Sequence, residues 1–230
     1  MAHWNWPGFF GYLFNPFILG GVLTTVLLTA VSLVCGFALG FVLALMRRAP
    51  LRPVQAAAKF YIWLFRGTPL LVQLIVIYTA LPQLGIRFSV VEAALLGLSL
   101  NEAAYLAEII RAGIEAVPEG QVRAARALGM SERQIMRHIV MPQAFKVIIP
   151  PLGNSVNGLL KTTSVTSVIS MEELLRRTQV LIQERFMVLE LFAVAAIYYL
   201  LLTTLWDLVQ RRIERHFGRS GAEIAAADRR

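Results

Sequence analysis

The sequence predicts an all-α membrane protein with about five transmembrane helices, for two reasons. Hydrophobic residues make up 57% of the 230 residues, and the mean hydropathy is +0.63, both higher than in an ordinary soluble domain. Charged residues make up only 16% and cluster at the ends of long apolar segments, as they do in membrane proteins. We expect these helices to form a single transmembrane domain over residues 19–218.

The net charge of +8 would by itself permit a nucleic-acid partner. The basic residues lie at the ends of apolar segments, however, and no aromatic residues alternate with them as in a base-stacking surface. The predicted partner is therefore the lipid bilayer, not nucleic acid. The single cysteine, Cys35, lies in an apolar run, which excludes a disulfide framework and a cysteine-ligated metal cluster.

The first helix is predicted over residues 19–46, which carry no charge and are long enough to cross a bilayer. Gly36 and Gly40 would let another helix approach closely, although glycine is also simply frequent in membrane helices. The preceding residues 1–18 lack the basic start of a cleaved signal peptide. We expect them to form an external segment whose tryptophans lie at the membrane interface.

The second span, residues 60–84, is interrupted by Arg66-Gly67-Thr68-Pro69. Proline removes a backbone donor and clashes with the preceding turn, so the sequence predicts a kink or a break there. Gln73 is a polar residue one turn further along an otherwise apolar run.

The third span, residues 90–111, has a broad polar face. Its polar residues recur mostly at intervals of three or four and so share one side of a helix. Ionisable groups within a membrane are costly, so this side should face protein or water. Glu108 and Arg111 are expected to form a structural ion pair rather than to contact a ligand. The polar residues of this span are Asn101, Glu102, Tyr105, Glu108 and Arg111.

The fourth span, residues 146–170, contains Pro150-Pro151 and Gly153, which predict a bent or discontinuous helix. A polar stripe follows at intervals of three and four residues: Asn154, Asn157, Lys161 and Ser164. Lys161 lies near mid-span, where an ammonium group requires an anion. Transporters build solute sites from broken helices of this kind, although polar residues can also simply hold helices together.

Residues 171–190 are mixed in polarity and are predicted to be external, with a short surface helix. The last span is predicted over residues 188–209 and is followed by a tail, residues 219–230, that we expect to be disordered. The regions 47–59, 112–146 and 211–230 hold 4, 5 and 6 lysine or arginine residues, more than the opposite side. This bias places the N-terminus outside and the C-terminus in the cytoplasm.

The same bias places the loop at residues 112–145 in the cytoplasm. Within it, residues 121–128 favour a helix, Gly129 suits a helix end with positive φ, and Ser131 with Gln134 forms a capping-box pattern. Such an element is suited to docking on a partner, although an ordinary basic loop remains the alternative.

The loop resembles the EAA motif of ABC importer permeases. That motif reads Glu-Ala-Ala, three residues, Gly, nine residues, Ile, any residue, Leu-Pro; here every spacing is kept. Arg123 replaces the glutamate and Met141 replaces the leucine. Three further stretches resemble the polar amino acid subfamily, which includes histidine and glutamine permeases: FRGTPLLVQL, AAYLAEIIRAGI and PPLGNSVNGLLKTTSVTSVI. Together the matches cover nearly the whole chain beyond residue 19.

The resemblance implies a type I importer permease that moves a polar amino acid, or a close relative such as an opine, across the bacterial inner membrane by alternating access. It also implies a second permease subunit, identical or different, two cytoplasmic ATPase subunits and an external solute-binding protein. ATP and Mg²⁺ would bind to the ATPases, and this chain would need no cofactor of its own. Arg123 would then face a compensating change in the ATPase, a lipid phosphate, or Glu119.

The resemblance makes the loop the coupling helix. The residues predicted to couple to the ATPase are Gly120, Arg123, Ala124, Ala125, Arg126, Leu128, Gly129 and Met130. The residues predicted along the substrate pathway are Gln73, Asn101, Glu102, Tyr105, Asn154, Asn157, Lys161, Thr163 and Ser164.

No enzymatic or metal site is predicted, because the sequence has no Walker A, HExxH or CxxC motif. The alternative function is an ion-coupled carrier or a channel that acts without an ATPase. The fourth-span stripe carries no acid, which favours neutral or acidic solutes; a cationic solute would require Glu102 or Glu108.

Overall fold

The computed structural model describes the backbone of residues 4–227 and the side chains of residues 4–217. Over this range the chain forms helices and no strand, as the sequence predicts. The α-helices are α1 (Trp6–Leu13), α2 (Pro16–Met46), α3 (Arg52–Gly67), α4 (Leu70–Ile75), α5 (Val90–Glu115), α6 (Glu119–Ala127), α7 (Glu132–Ile135), α8 (Met141–Thr162), α9 (Leu174–Arg185) and α10 (Val188–Ala227). A π-helical turn and a 3-10 turn extend α4 to Leu84, a π-helical turn joins α7 to α8, and a 3-10 helix (Thr163–Ile169) follows α8.

Three helices in the described part of the chain are long and apolar enough to cross a membrane: α2, α5 and the Val188–Phe217 part of α10. A fourth candidate is the pair formed by α3 and the Leu70–Leu84 segment, which meet at an angle of 103°. The predicted break at Gly67 and Pro69 is therefore confirmed. The remaining predicted span, residues 146–170, corresponds to α8, whose prolines and polar residues lower its hydropathy but which packs between α5 and α10.

Helix α2 packs along the length of α5 through the two predicted glycines. A Cβ atom on Gly40 would lie 2.9 Å from the carbonyl oxygen of Ala103, and one on Gly36 would lie 3.1 Å from Cβ of Glu102. Real Cβ atoms almost never approach as closely as 2.9 Å, so the helix contact requires glycine at Gly40, whereas a side chain at Gly36 would make a tight contact that Glu102 would have to relieve. Close backbone approach at small residues is a usual source of packing energy in membrane bundles.

The helices extend beyond the predicted spans at several places. Helix α8 runs through Pro150 and Pro151, so of the two predicted forms, bent or discontinuous, it is not discontinuous there; the regular helix gives way to the 3-10 helix only at Thr163. Helix α3 begins at Arg52, before the apolar span predicted from residue 60, because the alanines that precede that span also favour helix. Helix α10 continues to Ala227, residues 228–230 lie outside the described range, and the disorder expected of residues 219–230 stays a prediction.

The short helix predicted in residues 171–190 is α9, which closes one end of the bundle. Glu173 precedes it, is completely buried, and caps it by accepting hydrogen bonds from the backbone N–H groups of Leu175 (2.9 Å) and Arg176 (2.7 Å). The same carboxylate accepts a hydrogen bond from the Tyr199 hydroxyl at 2.9 Å, which ties α9 to α10. We call this the α9 end of the bundle, and the opposite end, which carries the charged loop, the α6 end.

Candidate functional site

A cavity of about 910 Å³ lies between α5, α8 and the break between α3 and α4. The break contributes the short segment Arg66–Leu70, and α5 contributes its predicted polar face. From α8 come small or polar residues on one side of the helix: Pro151, Ser155, Gly158 and Thr162. The cavity therefore combines polar groups with apolar walls, as solute sites do.

Most charges at the cavity wall neutralise one another. Glu108 accepts hydrogen bonds from Arg47 at 3.0 Å and from Arg111 at 2.8 Å, which confirms the predicted Glu108–Arg111 pair. Arg111 also pairs with Glu115. This network of two arginines and two glutamates leaves no net charge to offer to a solute.

Two charged groups of the cavity remain without an ionic partner among the described residues. Glu102 is 8% exposed, and its buried Oε1 atom has no hydrogen-bond partner. Arg66 makes no ion pair and lies over the ring of Tyr105, with its guanidinium carbon 5.3 Å from the ring centre. A buried polar atom without a partner is costly, so its presence at a cavity wall indicates a site that a ligand completes.

The predicted pathway residues of α5 are found together in this cavity. Asn101, Glu102 and Tyr105 all line it. Gln73 lies behind the wall instead. Its side-chain amide donates hydrogen bonds to the carbonyl oxygens of Phe65 (2.9 Å) and Thr68 (3.1 Å).

The α8 stripe does not line this cavity. Asn157 donates a hydrogen bond to Asp207 of α10 at 2.6 Å, and Asn154 accepts one from Gln210 at 3.3 Å. Lys161 and Ser164 line a separate groove of about 370 Å³ between α8 and α10. The side chains of the stripe share one side of the helix, as predicted, and that side faces α10. The role of the stripe in solute transfer stays a prediction.

Thr163 is also outside the cavity. It is completely buried in the 3-10 helix, and its hydroxyl donates to the carbonyl oxygen of Leu160 at 2.9 Å.

Several polar or small residues that line the cavity are not among the predicted pathway residues, including Arg66, Ser155, Gly158 and Thr162. The last three recur at intervals of three and four, so they form a second face on α8 beside the larger and more visible stripe. Asp207, within the predicted last span, was missed as well.

The charged loop has the predicted local structure. Gly129 has φ of +80°, and after α6 the N–H of Met130 donates to the carbonyl oxygen of Ala125 at 3.1 Å, as in a Schellman ending. Ser131 and Gln134 form the predicted capping box at the start of α7. These two motifs fix the turn between α6 and α7.

One side of α6 is buried and the other faces solvent. Ala125 is 4% exposed, whereas Leu128 is 83% exposed at the helix end. Arg126 donates to Glu132 at 2.6 Å, which links α6 to α7 and holds the pKa of the Glu132 carboxyl below its ordinary value. Arg123 is exposed and lies 3.9 Å from Glu119, the one predicted partner in this chain, so the two form only a long ion pair.

Metal-ligating side chains are not grouped in threes anywhere in the described range.

Comparison with known proteins agrees with this arrangement. The model of the family described as "Binding-protein-dependent transport system inner membrane component" matches residues 36–219. An arginine transport system permease protein of Corynebacterium glutamicum is 37% identical over 97% of this chain and 75% of its own. A putative glutamine transport system permease protein of Rickettsia bellii is 40% identical over 90% of this chain and 97% of its own.

A solved structure has the same fold. It is described as an amino acid ABC transporter with histidines, and it superposes with a TM-score of 0.89 at 35% identity over 94% of this chain and all of its own. The predicted permease fold is thus confirmed, and so is the prediction that the chain is a membrane subunit and not an enzyme. The chain belongs to the family of inner membrane components of binding-protein-dependent transport systems, and it is a multi-pass membrane protein.

Proposed function

We propose that this chain is the permease subunit of an ABC importer and passes a polar amino acid through the cavity between α5, α8 and the α3–α4 break. The observation that carries the proposal is the pair of unmatched charges in that cavity, Arg66 and Glu102. An α-amino acid carries one carboxylate and one ammonium group. A cavity that keeps one cation and one anion is complementary to such a zwitterion.

The cavity alters the solute preference expected from the α8 stripe. That preference for neutral or acidic solutes depended on the absence of an acid from the α8 stripe, yet it is the buried carboxylate of Glu102 on α5 that lies at the cavity wall. We therefore propose neutral or cationic amino acids as the solutes. The arginine and glutamine permeases among the relatives support both classes.

Energy for transport is proposed to reach the cavity through the charged loop. The exposed side of α6, with Leu128 at its end, would dock on a cytoplasmic ATPase that binds ATP and Mg²⁺. Helix α7 continues into α8 through the π-helical turn at Met136–Val140, and α8 forms one wall of the cavity. A displacement of α6 would thus be transmitted to the cavity wall, as alternating access requires.

The proposed assembly contains two permease subunits, two ATPase subunits and an external solute-binding protein. It lies in the bacterial inner membrane with the α6 end in the cytoplasm and the α9 end outside. The excess of lysine and arginine at the α6 end supports this orientation.

Reconstitution of the full complex in proteoliposomes tests the proposal. We expect ATP-dependent uptake of labelled L-glutamine or L-arginine that requires both the ATPase and the solute-binding protein. Uptake by the permease alone, driven by an ion gradient and indifferent to ATP, would instead establish a secondary carrier.

A further inference from the structure

The cavity contains two arginines that differ in how their guanidinium groups are used. Arg111 donates from Nε and Nη2 to Glu108 and from Nη1 to Glu115, so its planar fork is already occupied. Arg66 has its guanidinium carbon over the ring of Tyr105, and its side chain makes no hydrogen bond or ion pair to another described residue. Because a cation–π contact gives the N–H groups no acceptor atom, these groups stay available to an anion.

The position of Arg66 follows from the break that comes directly after it. In a regular helix the carbonyl oxygen of Phe65 would accept a hydrogen bond from the residue four positions on, which here is Pro69. Proline has no N–H group, so this acceptor loses its partner within a membrane, where no water replaces it.

Two side-chain amides satisfy that carbonyl oxygen. The Nε2 group of Gln73 donates to it at 2.9 Å, and the Nδ2 group of Asn101 donates to it at 3.2 Å. Gln73 also binds Thr68, through the carbonyl oxygen at 3.1 Å and the hydroxyl at 2.9 Å. Asn101 closes the set by donating to Oε1 of Gln73 at 3.1 Å. We call these two residues the amide clamp.

The clamp leaves no amide hydrogen for a solute. Each side-chain amide has two N–H hydrogens. The amide of Gln73 donates hydrogen bonds to three acceptors, and the amide of Asn101 donates to two. Gln73 is also buried, being 9% exposed. The clamp therefore fastens the residues on both sides of Arg66 to α5, the helix that carries Tyr105 and Glu102.

We propose that Arg66 binds the α-carboxylate of the transported amino acid, and that Gln73 and Asn101 are positioning residues that hold Arg66 over Tyr105. This inference rests on the proposed passage of an amino acid through the cavity. A guanidinium fork matches a carboxylate with two parallel hydrogen bonds, which a single ammonium does not reproduce. The buried carboxylate of Glu102 then takes the cationic group of the same solute.

Equilibrium binding to the permease–ATPase complex in lipid nanodiscs, without solute-binding protein, tests the role of Arg66. The probes are L-arginine and L-glutamine, each compared with its carboxyl-amidated derivative, which lacks the carboxylate charge. We expect the wild-type complex to bind the acid about tenfold or more tightly than the amide, as a charge-assisted pair predicts. Arg66→Gln should reduce that ratio to near one, and Arg66→Lys should leave an intermediate ratio.

The clamp is tested with Gln73→Met, which keeps the length of the side chain and removes its donors. If the clamp positions Arg66, the acid-to-amide ratio falls several-fold. Gln55→Met is the matched control, because Gln55 also donates from a side-chain amide to a backbone carbonyl, that of Ala49 at 2.8 Å, but at the far end of α3. The control should keep the wild-type ratio.

The outcomes separate the possibilities. A wild-type ratio in Arg66→Gln, or in Arg66→Lys if the glutamine variant fails to assemble, overturns the carboxylate assignment. Equal loss of acid and amide binding in Gln73→Met, with the ratio kept, overturns the positioning role. If the wild-type complex binds neither acid nor amide, the proposed function of the cavity fails rather than the assignment within it.

Discussion

Glu102 is the residue at which structure and proposed function meet most directly. Its carboxylate is buried beside the cavity with one oxygen unpartnered, while the neighbouring Glu108 shares its charge between two arginines. Burying an unpaired charge is costly, so we expect this carboxylate to gain a partner when a solute binds.

Glu102→Gln should weaken uptake because glutamine keeps the shape of the side chain and removes its charge. The loss of one charged hydrogen bond to the cationic group of a solute predicts a fall in affinity of about tenfold to a hundredfold. Initial rates of uptake at several solute concentrations in proteoliposomes would show the effect as an increased KM.

Glu214→Gln is the control for that measurement. Glu214 lies on α10 and accepts a hydrogen bond from Gln210 at 2.8 Å, which a glutamine oxygen can also accept. It should transport normally. An unchanged KM in Glu102→Gln would remove this carboxylate from the pathway.

At the residue scale the sequence shows which polar residues share one side of a helix, but not which neighbouring helix that side contacts. The spacing of Glu108 and Arg111 on one helix is enough to predict their pair. The α8 stripe shows the limit, because spacing establishes that Asn154, Asn157 and Lys161 share a side but not which neighbour that side faces. Only the position of α10 decides that, and α10 is distant in sequence.

The turn between α6 and α7 is the element whose geometry depends most on one residue. Gly129 has φ of +80°, and a Cβ atom there would meet no atom within 4 Å, so the demand for glycine is conformational and not steric. A side chain in this region costs ~1–2 kcal/mol.

Gly129→Val should therefore shift the direction in which α7 leaves the turn and weaken coupling while leaving the bundle folded. The expected result is a several-fold fall in the uptake obtained per ATP hydrolysed, measured on the same proteoliposomes. Gly85→Val is a matched control, because Gly85 has φ of +84° and equally open space but lies in the turn before α5 at the opposite end. Equal effects of both changes would mean that strain alone, and not coupling, is being measured.

The exposed end of α6 predicts a contact with the ATPase. Leu128 is 83% exposed, so Leu128→Asp should not alter the thermal stability of the permease, but it should reduce ATPase retention on purified permease by about tenfold or more, as expected of a central contact. Leu84, 77% exposed at the other end, gives the control Leu84→Asp. Retention of the ATPase by the Leu128 variant would place the contact elsewhere.

At the element scale, the sequence correctly predicts helix starts and ends that depend on a few neighbouring residues. The capping box of Ser131 and the positive φ of Gly129 lie where the sequence indicates. The sequence leaves open whether α8 is bent or discontinuous at Pro150 and Pro151; the helix continues through both, because packing between α5 and α10 supports a helix that its own residues disfavour.

For the whole molecule, the orientation is a prediction that labelling can check. In a Cys35→Ala background, Arg87→Cys should react with a membrane-impermeant maleimide in intact cells, because Arg87 lies in the turn before α5. Glu119→Cys, at the start of α6, should react only after the membrane is permeabilised. The reverse pattern would invert the topology and remove the loop from any cytoplasmic partner.

The overall architecture was largely predictable, since apolar length and charge bias depend on composition alone. The cavity was not, because its walls come from three separated segments and its opening depends on the 103° turn after Arg66. The sequence places a break at Pro69 but gives no angle for it.

The contact between α2 and α5 has a consequence for motion. Gly36 and Gly40 let the two helices approach closely, and Arg47 at the end of α2 forms an ion pair with Glu108 of α5. We expect two helices joined in this way to move as one body. In the proposed alternating access, the α3–α4 break and α8 would then move against this pair, and a distance measured between α2 and α5 would stay constant throughout the transport cycle.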